Sequence, residues 1–343
     1  MSNNDPLRVA FIGLGWWGEV LADAALASGA AEIAGGFART PATRDGFSEK
    51  YGCRGYDSME SLLADPETEA VVIATPNSGH KEQALAAAWA GKHIHVEKPM
   101  ALSVSDAKEI VAACREAGVK LALGQNFRRW PMFRRAKKII DAGELGTVSL
   151  VLAHFSNTLG LTAGEGSDRW DPVENPGGPL YSYTIHLADL LEALFGEIES
   201  VDAAAGKVGG PSRTDDSAAG VLRFSSGVVG ALTGSYMAAF RVGVLIEGTK
   251  ATLSLTSGGM PTLQRLEEAM GDAEEIDIGV GMVAGRELAN AEQFTDLARC
   301  VREGGEPEVG GEEGVRALGV MRAMLLSHAE RRAVTLEEIL END

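Results

Sequence analysis

Val9-Ala10-Phe11-Ile12-Gly13-Leu14-Gly15-Trp16-Trp17-Gly18 decides how this chain is read, and Val96-Glu97-Lys98-Pro99 further along extends the reading. An apolar run that breaks into Gly-x-Gly-x-x-Gly is a strand turning sharply into a helix. The glycines permit the tight turn, a close approach of backbone to a pyrophosphate, and tight helix-on-strand packing. A dinucleotide would sit on the N-terminus of the helix, where backbone N–H groups point outward and the helix dipole favours an anion. Gly13, Gly15, Trp16, Trp17 and Gly18 are therefore expected at the cofactor.

The chain continues in the same idiom to about Leu123. Strands are expected at 8–12, 31–37, 70–74, 93–96 and 119–123, with helices between them from Gly18 to Ser28, Thr40 to Tyr51, Ser58 to Leu63, His80 to Ala90 and Ser105 to Ala117. Strands alternating with amphipathic helices require a parallel sheet, so residues 1–124 are expected to form a Rossmann dinucleotide-binding domain with its ligand crevice at the carboxyl ends of the strands. Beyond Gln125 the pattern changes. After a helix from about Phe133 to Ala142, the segments 148–155, 199–206, 217–224, 228–236, 242–247 and 251–256 read as strands, several meeting at glycines suited to turns. Helices return at 181–195, 288–303 and 314–329. Residues 125–343 are thus expected to be an α+β domain with a largely antiparallel open sheet for substrate binding and oligomerisation, giving an α/β protein overall. The stretch from Thr158 to Gly178 reads as a long loop that closes over substrate, with Trp170 and Asp171 able to contact a sugar ring.

Composition narrows the partners. A chain of 343 residues with 45% hydrophobic and 23% charged residues has material for two cores. Its formal charge of −18 disfavours nucleic acid and anionic membranes, which bind through clustered Lys and Arg. A small-molecule substrate fits better. Cys53, Cys114 and Cys300 are odd in number and widely spaced, without metal-ligand spacing, and read as packing thiols in a reducing cytoplasm. The first residues show no export signal, and no apolar run approaches the ~20 residues of a membrane span. No metal is expected, and the outer face of the second sheet suits a homodimer or homotetramer.

Residues at strand ends supply the chemistry. Rossmann sites that select NAD place an acid at the end of the second strand for the ribose hydroxyls, whereas NADP sites replace it and add a cation for the 2′-phosphate. Here Gly36-Phe37-Ala38-Arg39-Thr40 has no carboxylate, so Ala38, Arg39 and Thr40 favour NADP over NAD; Arg39 as an ordinary surface arginine is the other reading. Ala74-Thr75-Pro76-Asn77-Ser78-Gly79-His80 puts Thr75, Pro76 and Asn77 in the same crevice, with Asn77 or Ser78 able to cap the next helix and His80 supporting the loop. Glu97 and Lys98 end the fourth strand of the sheet, where a lysine can polarise a hydroxyl or carbonyl oxygen beside a nicotinamide, and the bond to Pro99 is a credible cis peptide. Asn126 and Arg128, past the next strand, are expected to face nicotinamide or substrate.

Taken in order, Gly-Leu-Gly-Trp-Trp-Gly at 13–18, Ala-Thr-Pro-Asn-x-x-His at 74–80, Glu-Lys-Pro-Met at 97–100 and Pro-Gly-Gly-Pro-Leu followed by His186-Leu-Ala-Asp189 resemble the glucose–fructose oxidoreductase, inositol dehydrogenase and MocA (Gfo/Idh/MocA) family over nearly the whole chain. The resemblance implies an NAD(P)-dependent oxidoreductase that moves hydride between nicotinamide and a secondary alcohol or ketone of a sugar, cyclic polyol or dihydrodiol. It assigns the reacting oxygen to Lys98 and proton transfer or substrate orientation to His186. The family pattern has an aspartate four residues before that histidine, one helical turn away, where this chain has Ser182. Lys98 and His186 alone, a phenol from Tyr181 or Tyr183, a differently placed substrate, or lost activity are each compatible with that replacement. A redox-neutral lyase or glycosidase with retained cofactor, and a non-catalytic dinucleotide-binding protein, are the alternative functions.

Overall fold

The structure, a computed structural model, describes residues 5–164, 170–209, 213–268, 273–279 and 281–343. They form two compact units, Met1–Asn126 with Arg286–Val315, and Phe127–Gly285 with Arg316–Asp343.

The first unit is built as strand, helix, strand: β1 (Leu7–Ile12), α1 (Trp16–Ala27), β2 (Ala31–Phe37), α2 (Pro41–Tyr51), β3 (Arg54–Gly55), α3 (Met59–Ala64), β4 (Ala70–Ile73), α4 (His80–Trp89), β5 (His93–Val96), α5 (Val104–Ala117) and β6 (Leu121–Leu123). The six strands lie in the order β3-β2-β1-β4-β5-β6, and all their pairings are parallel. Every residue of β4 is buried, which a sheet covered on both faces demands and which accounts for its unbroken Ala-Val-Val-Ile sequence. Local signals start the helices where they are needed. Ser103 Oγ accepts from Asp106 N at 3.1 Å at the start of α5, and Pro41 opens α2.

The second unit holds α6 (Pro131–Asp141), β7 (Val148–Ser156), α7 (Leu159–Thr162), α8 (Ile185–Phe195), β8 (Ile198–Gly206), β9 (Ser217–Phe224), β10 (Val229–Ser235), β11 (Arg241–Gly248), β12 (Ala251–Thr256), β13 (Thr262–Arg265) and β14 (Glu274–Glu275). Then come α9 (Met282–Glu303), α10 (Gly311–Glu330), β15 (Val334–Thr335) and α11 (Leu336–Asn342). A nine-stranded sheet runs β14-β13-β12-β11-β7-β10-β9-β8-β15 and is antiparallel except for the β7/β10 pair. Strict alternation of buried and exposed residues along β9 puts one of its faces on the core. The short strands β3, β13, β14 and β15 and the last helix have no counterpart in the sequence reading; two- and four-residue strands carry too little period to announce themselves.

The sequence pattern predicts a single boundary after residue 124, whereas Arg286–Val315 belong with the first unit. The reason is packing: Phe294, Leu297 and Ala298 of α9 are buried in the cluster that holds Leu7, Val9 and Phe11 of β1, Val72 of β4 and Leu21 of α1. The stretch expected as a structureless loop contains α7, and residues 165–169 of it lie outside the described residues. Trp170 is not offered to a ligand. It is 2% exposed, its Nε1 donates to Gly164 O at 2.9 Å, and its ring meets Tyr236 edge-on at 5.7 Å.

Candidate functional site

One hydrogen-bonded row sets out the carboxyl edge of the parallel sheet. Gly13 N donates to Phe37 O, Ala74 N to Ile12 O, Glu97 N to Ile73 O and Gly124 N to Val96 O, at 2.9–3.1 Å. The residues just beyond these bonds therefore follow one another along that edge: Arg39 after β2, Gly15 after β1, Thr75 after β4, Lys98 after β5 and Asn126 after β6.

A cleft of about 450 Å³ occupies the part of this edge formed by β1, β2 and β4. Of the residues expected at the cofactor, Gly13, Gly15, Ala38, Arg39, Thr40, Thr75 and Pro76 line it. Trp16, Trp17, Gly18, Asn77, His80, Glu97, Lys98 and Asn126 are not among its lining residues. Thr43 and Gln83 are, and sequence reading missed both; Gln83 lies nearly one helical turn beyond His80 on α4, and its Oε1 accepts from Thr75 Oγ1 at 2.7 Å.

The three glycines are needed for different reasons. Gly13 has φ +96°, and a Cβ there would lie 2.6 Å from Ala74 O. A Cβ on Gly18 would lie 2.2 Å from Gly13 O. At Gly15 a Cβ would meet no protein atom within 4 Å, so protein packing does not exclude a side chain; the space it would enter is the cleft itself. No side chain caps the first turn of α1, which leaves its leading N–H groups for an anion. An open cradle at a bare helix N-terminus fits a pyrophosphate.

Charge in the cleft is equally specific. Arg39 is the one charged residue among those lining it. It is exposed and has no ion pair or hydrogen bond among the described residues, unlike Arg44 nearby, which meets Asp57 at 3.1 Å. Thr40 precedes α2 without capping it. Trp16 is 71% exposed, whereas Trp17 packs against the core, the two rings being 5.4 Å apart.

Asn77 and Ser78, expected to cap α4, do not stand at the position directly before it. Those residues form a 3-10 turn, and the position before α4 is Gly79, which has no side chain to cap with. His80 instead ties two loops together: Nε2 lies 3.0 Å from Thr75 O and Nδ1 2.9 Å from Pro99 O, with the ring fully buried. Its position explains how the loops after β4 and β5 are held in register. Glu97 is buried, its Oε2 accepts from Lys98 N at 3.2 Å, and it fills the space beside Gly124, where a Cβ would lie 2.4 Å from Oε1. Lys98 stands half-buried at the end of this arrangement, and the Lys98–Pro99 peptide is cis.

In the second unit the residues expected around His186 sit on α8 and on a π-helical turn, Leu180–Thr184, that leads into it. His186 is 8% exposed and its ring stacks on Phe127 at 4.7 Å and 13°. Asp189 accepts from Arg128 at both oxygens, Nε at 2.8 Å and Nη2 at 2.6 Å. Because Ser182 lies in the π turn, its four-residue offset from His186 is not one α-helical turn. Its hydroxyl donates to Asn175 Oδ1 at 3.0 Å, Asn175 Nδ2 to the Tyr236 hydroxyl at 3.0 Å, and that hydroxyl to Gly178 O at 2.9 Å. Tyr183 is half-buried, stacked on Phe155 at 4.5 Å. Tyr181 is fully buried, and burial pushes its phenol up to about 12, which excludes it as a base at neutral pH. Among the described residues no group of three or more His, Cys, Asp and Glu suited to a metal ion gathers, and no helix is long and apolar enough to cross a membrane.

Comparison with known proteins agrees with this construction. Residues 7–125 match the family model for the oxidoreductase family with an NAD-binding Rossmann fold, and residues 133–254 match that of the GFO/IDH/MocA C-terminal domain. The crystal structure of a candidate NADPH-dependent oxidoreductase from Desulfitobacterium hafniense superimposes with a TM-score of 0.92 at 31% identity, covering 98% of this chain and 99% of that one. A 1,5-anhydro-D-fructose reductase of Ensifer adhaerens is 29% identical over 82% of this chain and 83% of its own. A myo-inositol 2-dehydrogenase of Thermotoga maritima is 28% identical over 85% of this chain and 87% of its own. The chain belongs to the Gfo/Idh/MocA family and is an NAD(P)-dependent oxidoreductase.

Proposed function

We propose that the protein oxidises a secondary alcohol, or reduces the corresponding ketone, of a sugar or cyclic polyol, with NADP as its preferred cofactor. The substrate class rests on the reductase and dehydrogenase named above, whose substrates are an anhydro sugar and an inositol. The preference for NADP rests on one observation: among the described residues Arg39 is the one charged side chain lining the cleft and has no ion pair there, at the position where a 2′-phosphate would lie. Titration of the purified protein with NADPH and NADH tests it. At least tenfold tighter binding of NADPH is expected, and equal affinity for the two contradicts it.

Gly13, Gly15, Trp16, Trp17 and Gly18 hold the pyrophosphate through backbone, Ala38, Arg39 and Thr40 the adenosine ribose, and Thr75, Pro76, Asn77 and Asn126 the remainder, with His80 and Glu97 fixing the loops. Bound nicotinamide supplies the hydride acceptor or donor. Lys98 donates a hydrogen bond to the reacting oxygen and polarises it, and His186 takes or returns the hydroxyl proton. Phe127 holds the His186 ring in one plane. Ser182 contributes no carboxylate, and its role is to keep the Asn175–Gly178 segment in place, leaving the partly exposed Tyr183 as the hydroxyl nearest in sequence that can meet substrate.

An apolar row crosses the second sheet. Leu245, Leu152, Ala231 and Val221 lie side by side on β11, β7, β10 and β9, with Leu152 41% and Val221 45% exposed. A second copy covering this row forms the homo-oligomer. The free thiols Cys53, Cys114 and Cys300 suit a reducing cytoplasm.

A further inference from the structure

The cleft at the carboxyl edge holds one half of the dinucleotide site. Gly13 and Gly15 after β1 and Arg39 after β2 line it, whereas Lys98 and Asn126, expected at the nicotinamide, do not. It is therefore the adenosine half, and its volume of about 450 Å³ is that of a small-molecule site. The strand order β2-β1-β4 puts the Arg39 wall on one side and the wall that follows β4 on the other. This second wall has no charged side chain; its polar side chains are those of Thr75, Ser78 and Gln83.

Gln83 is oriented by one contact. Thr75 Oγ1 lies 2.7 Å from Gln83 Oε1 but 3.4 Å from Pro76 O, its other acceptor. Only the first distance is that of a full O–H···O bond, so the hydroxyl proton goes to Oε1. Turning the amide over would leave that proton, among the described residues, only the distant acceptor. Gln83 Nε2 is then a donor at the cleft wall with no hydrogen-bond partner among the described residues. Thr75 is itself fixed, since its carbonyl lies 3.0 Å from Nε2 of the buried His80. Gly79 fits the same pair. Its backbone angles, φ −85° and ψ −15°, are open to any residue, yet a Cβ there would lie 3.0 Å from Gln83 Nε2 and 3.2 Å from Thr75 Oγ1. Glycine at this position keeps the amide unobstructed.

A base whose ribose rests at Arg39 crosses the cleft with the edge opposite its glycosidic bond leading. In adenine that edge carries N1, an acceptor, beside the N6 amino group, a donor. A side-chain amide complements both, because Nε2 donates and Oε1 keeps a second lone pair to accept. We propose that Gln83 reads the base of the bound dinucleotide, selecting adenine over a base that offers N1–H and a carbonyl, and that Thr75 is the residue positioning its amide. This deepens the cofactor reading above and rests on it.

The test compares, by isothermal titration calorimetry, the oxidised dinucleotide that binds best with its deamino analogue, in which hypoxanthine replaces adenine and the rest of the molecule is unchanged. Hypoxanthine presents N1–H and O6, the reverse of adenine's acceptor and donor. A general loosening of the cleft moves both Kd values together; loss of this contact moves their ratio. The wild type is expected to bind the analogue roughly three- to tenfold more weakly. Gln83→Leu, which keeps the bulk of the side chain, brings the ratio to about one. Thr75→Val removes the hydroxyl that holds Oε1, frees the amide to turn over, and lowers the ratio as the analogue gains affinity. A wild-type ratio near one, or a ratio preserved in Gln83→Leu, overturns the reading of the base. A ratio preserved in Thr75→Val overturns the positioning role. Failure of the wild type to bind either dinucleotide overturns the cofactor reading itself, a result distinct from any of these.

Discussion

Arg128 and Asp189 form a two-point ion pair, at 2.8 and 2.6 Å, in which the aspartate side chain has no solvent exposure. Phe127, the neighbour of Arg128, stacks on His186, one helical turn before Asp189. A single short turn thus grips two positions of α8 that lie one helical turn apart. Arg128→Met removes two charged hydrogen bonds from a buried carboxylate and is expected to cost about 3–5 kcal/mol, read from urea unfolding, whereas Arg128→Met with Asp189→Leu regains part of the loss. Equal stability of the single and double variants would show that the pair does not hold the turn.

Gly15 and Gly18 separate cofactor recognition from folding. Gly15→Ala adds a methyl that meets no protein atom within 4 Å, so the melting temperature stays within about 2 °C while dinucleotide affinity falls at least tenfold. Gly18→Ala drives a methyl against Gly13 O and lowers the melting temperature itself. If Gly15→Ala binds dinucleotide as the wild type does, the cradle is misassigned.

Stability should fall in acid partly through Glu69. Burial raises its carboxyl, but bonds from Arg302 at 2.7 and 2.9 Å and from Arg8 N at 3.0 Å outweigh that and hold the pKa below the ordinary carboxylate value. A depressed pKa contributes stability above the unfolded value of about 4.3, lost as pH falls through the folded one. Glu69→Gln is therefore expected to be destabilised by roughly 1–3 kcal/mol at pH 7, and the gap to the wild type closes below pH 4. A gap independent of pH would assign the loss to packing.

Arg39→Ala tests cofactor choice. NADPH affinity is expected to drop by about one to two orders of magnitude, while NADH affinity changes less than threefold. A parallel loss for both would mean that Arg39 stacks on adenine and does not read the phosphate.

The parallel sheet was legible because buried strands and amphipathic helices leave different periods, and Gly13, Lys98 and Asn126 each follow a strand, which puts them at one edge. What the sequence could not address was partnership. The apolar period of 288–303 announces a helix, yet nothing local says that Phe294 packs with Phe11 or that Asn290 meets Asn126, 164 positions away. Trp170 failed for the same reason: an aromatic residue in a Gly-rich stretch has the same appearance whether it stacks on a sugar or on Tyr236. Ser182 was judged by α-helical spacing, and the π turn around it changed what it faces.

Lys98 carries the central claim, and the most direct measurement is turnover followed at nicotinamide absorbance for wild type and Lys98→Ala across a panel of sugars and cyclic polyols, with dinucleotide affinity measured on the same preparations. The account predicts a loss of about 10²–10⁴ in kcat with dinucleotide Kd within threefold of the wild type. Undiminished kcat in Lys98→Ala would contradict it.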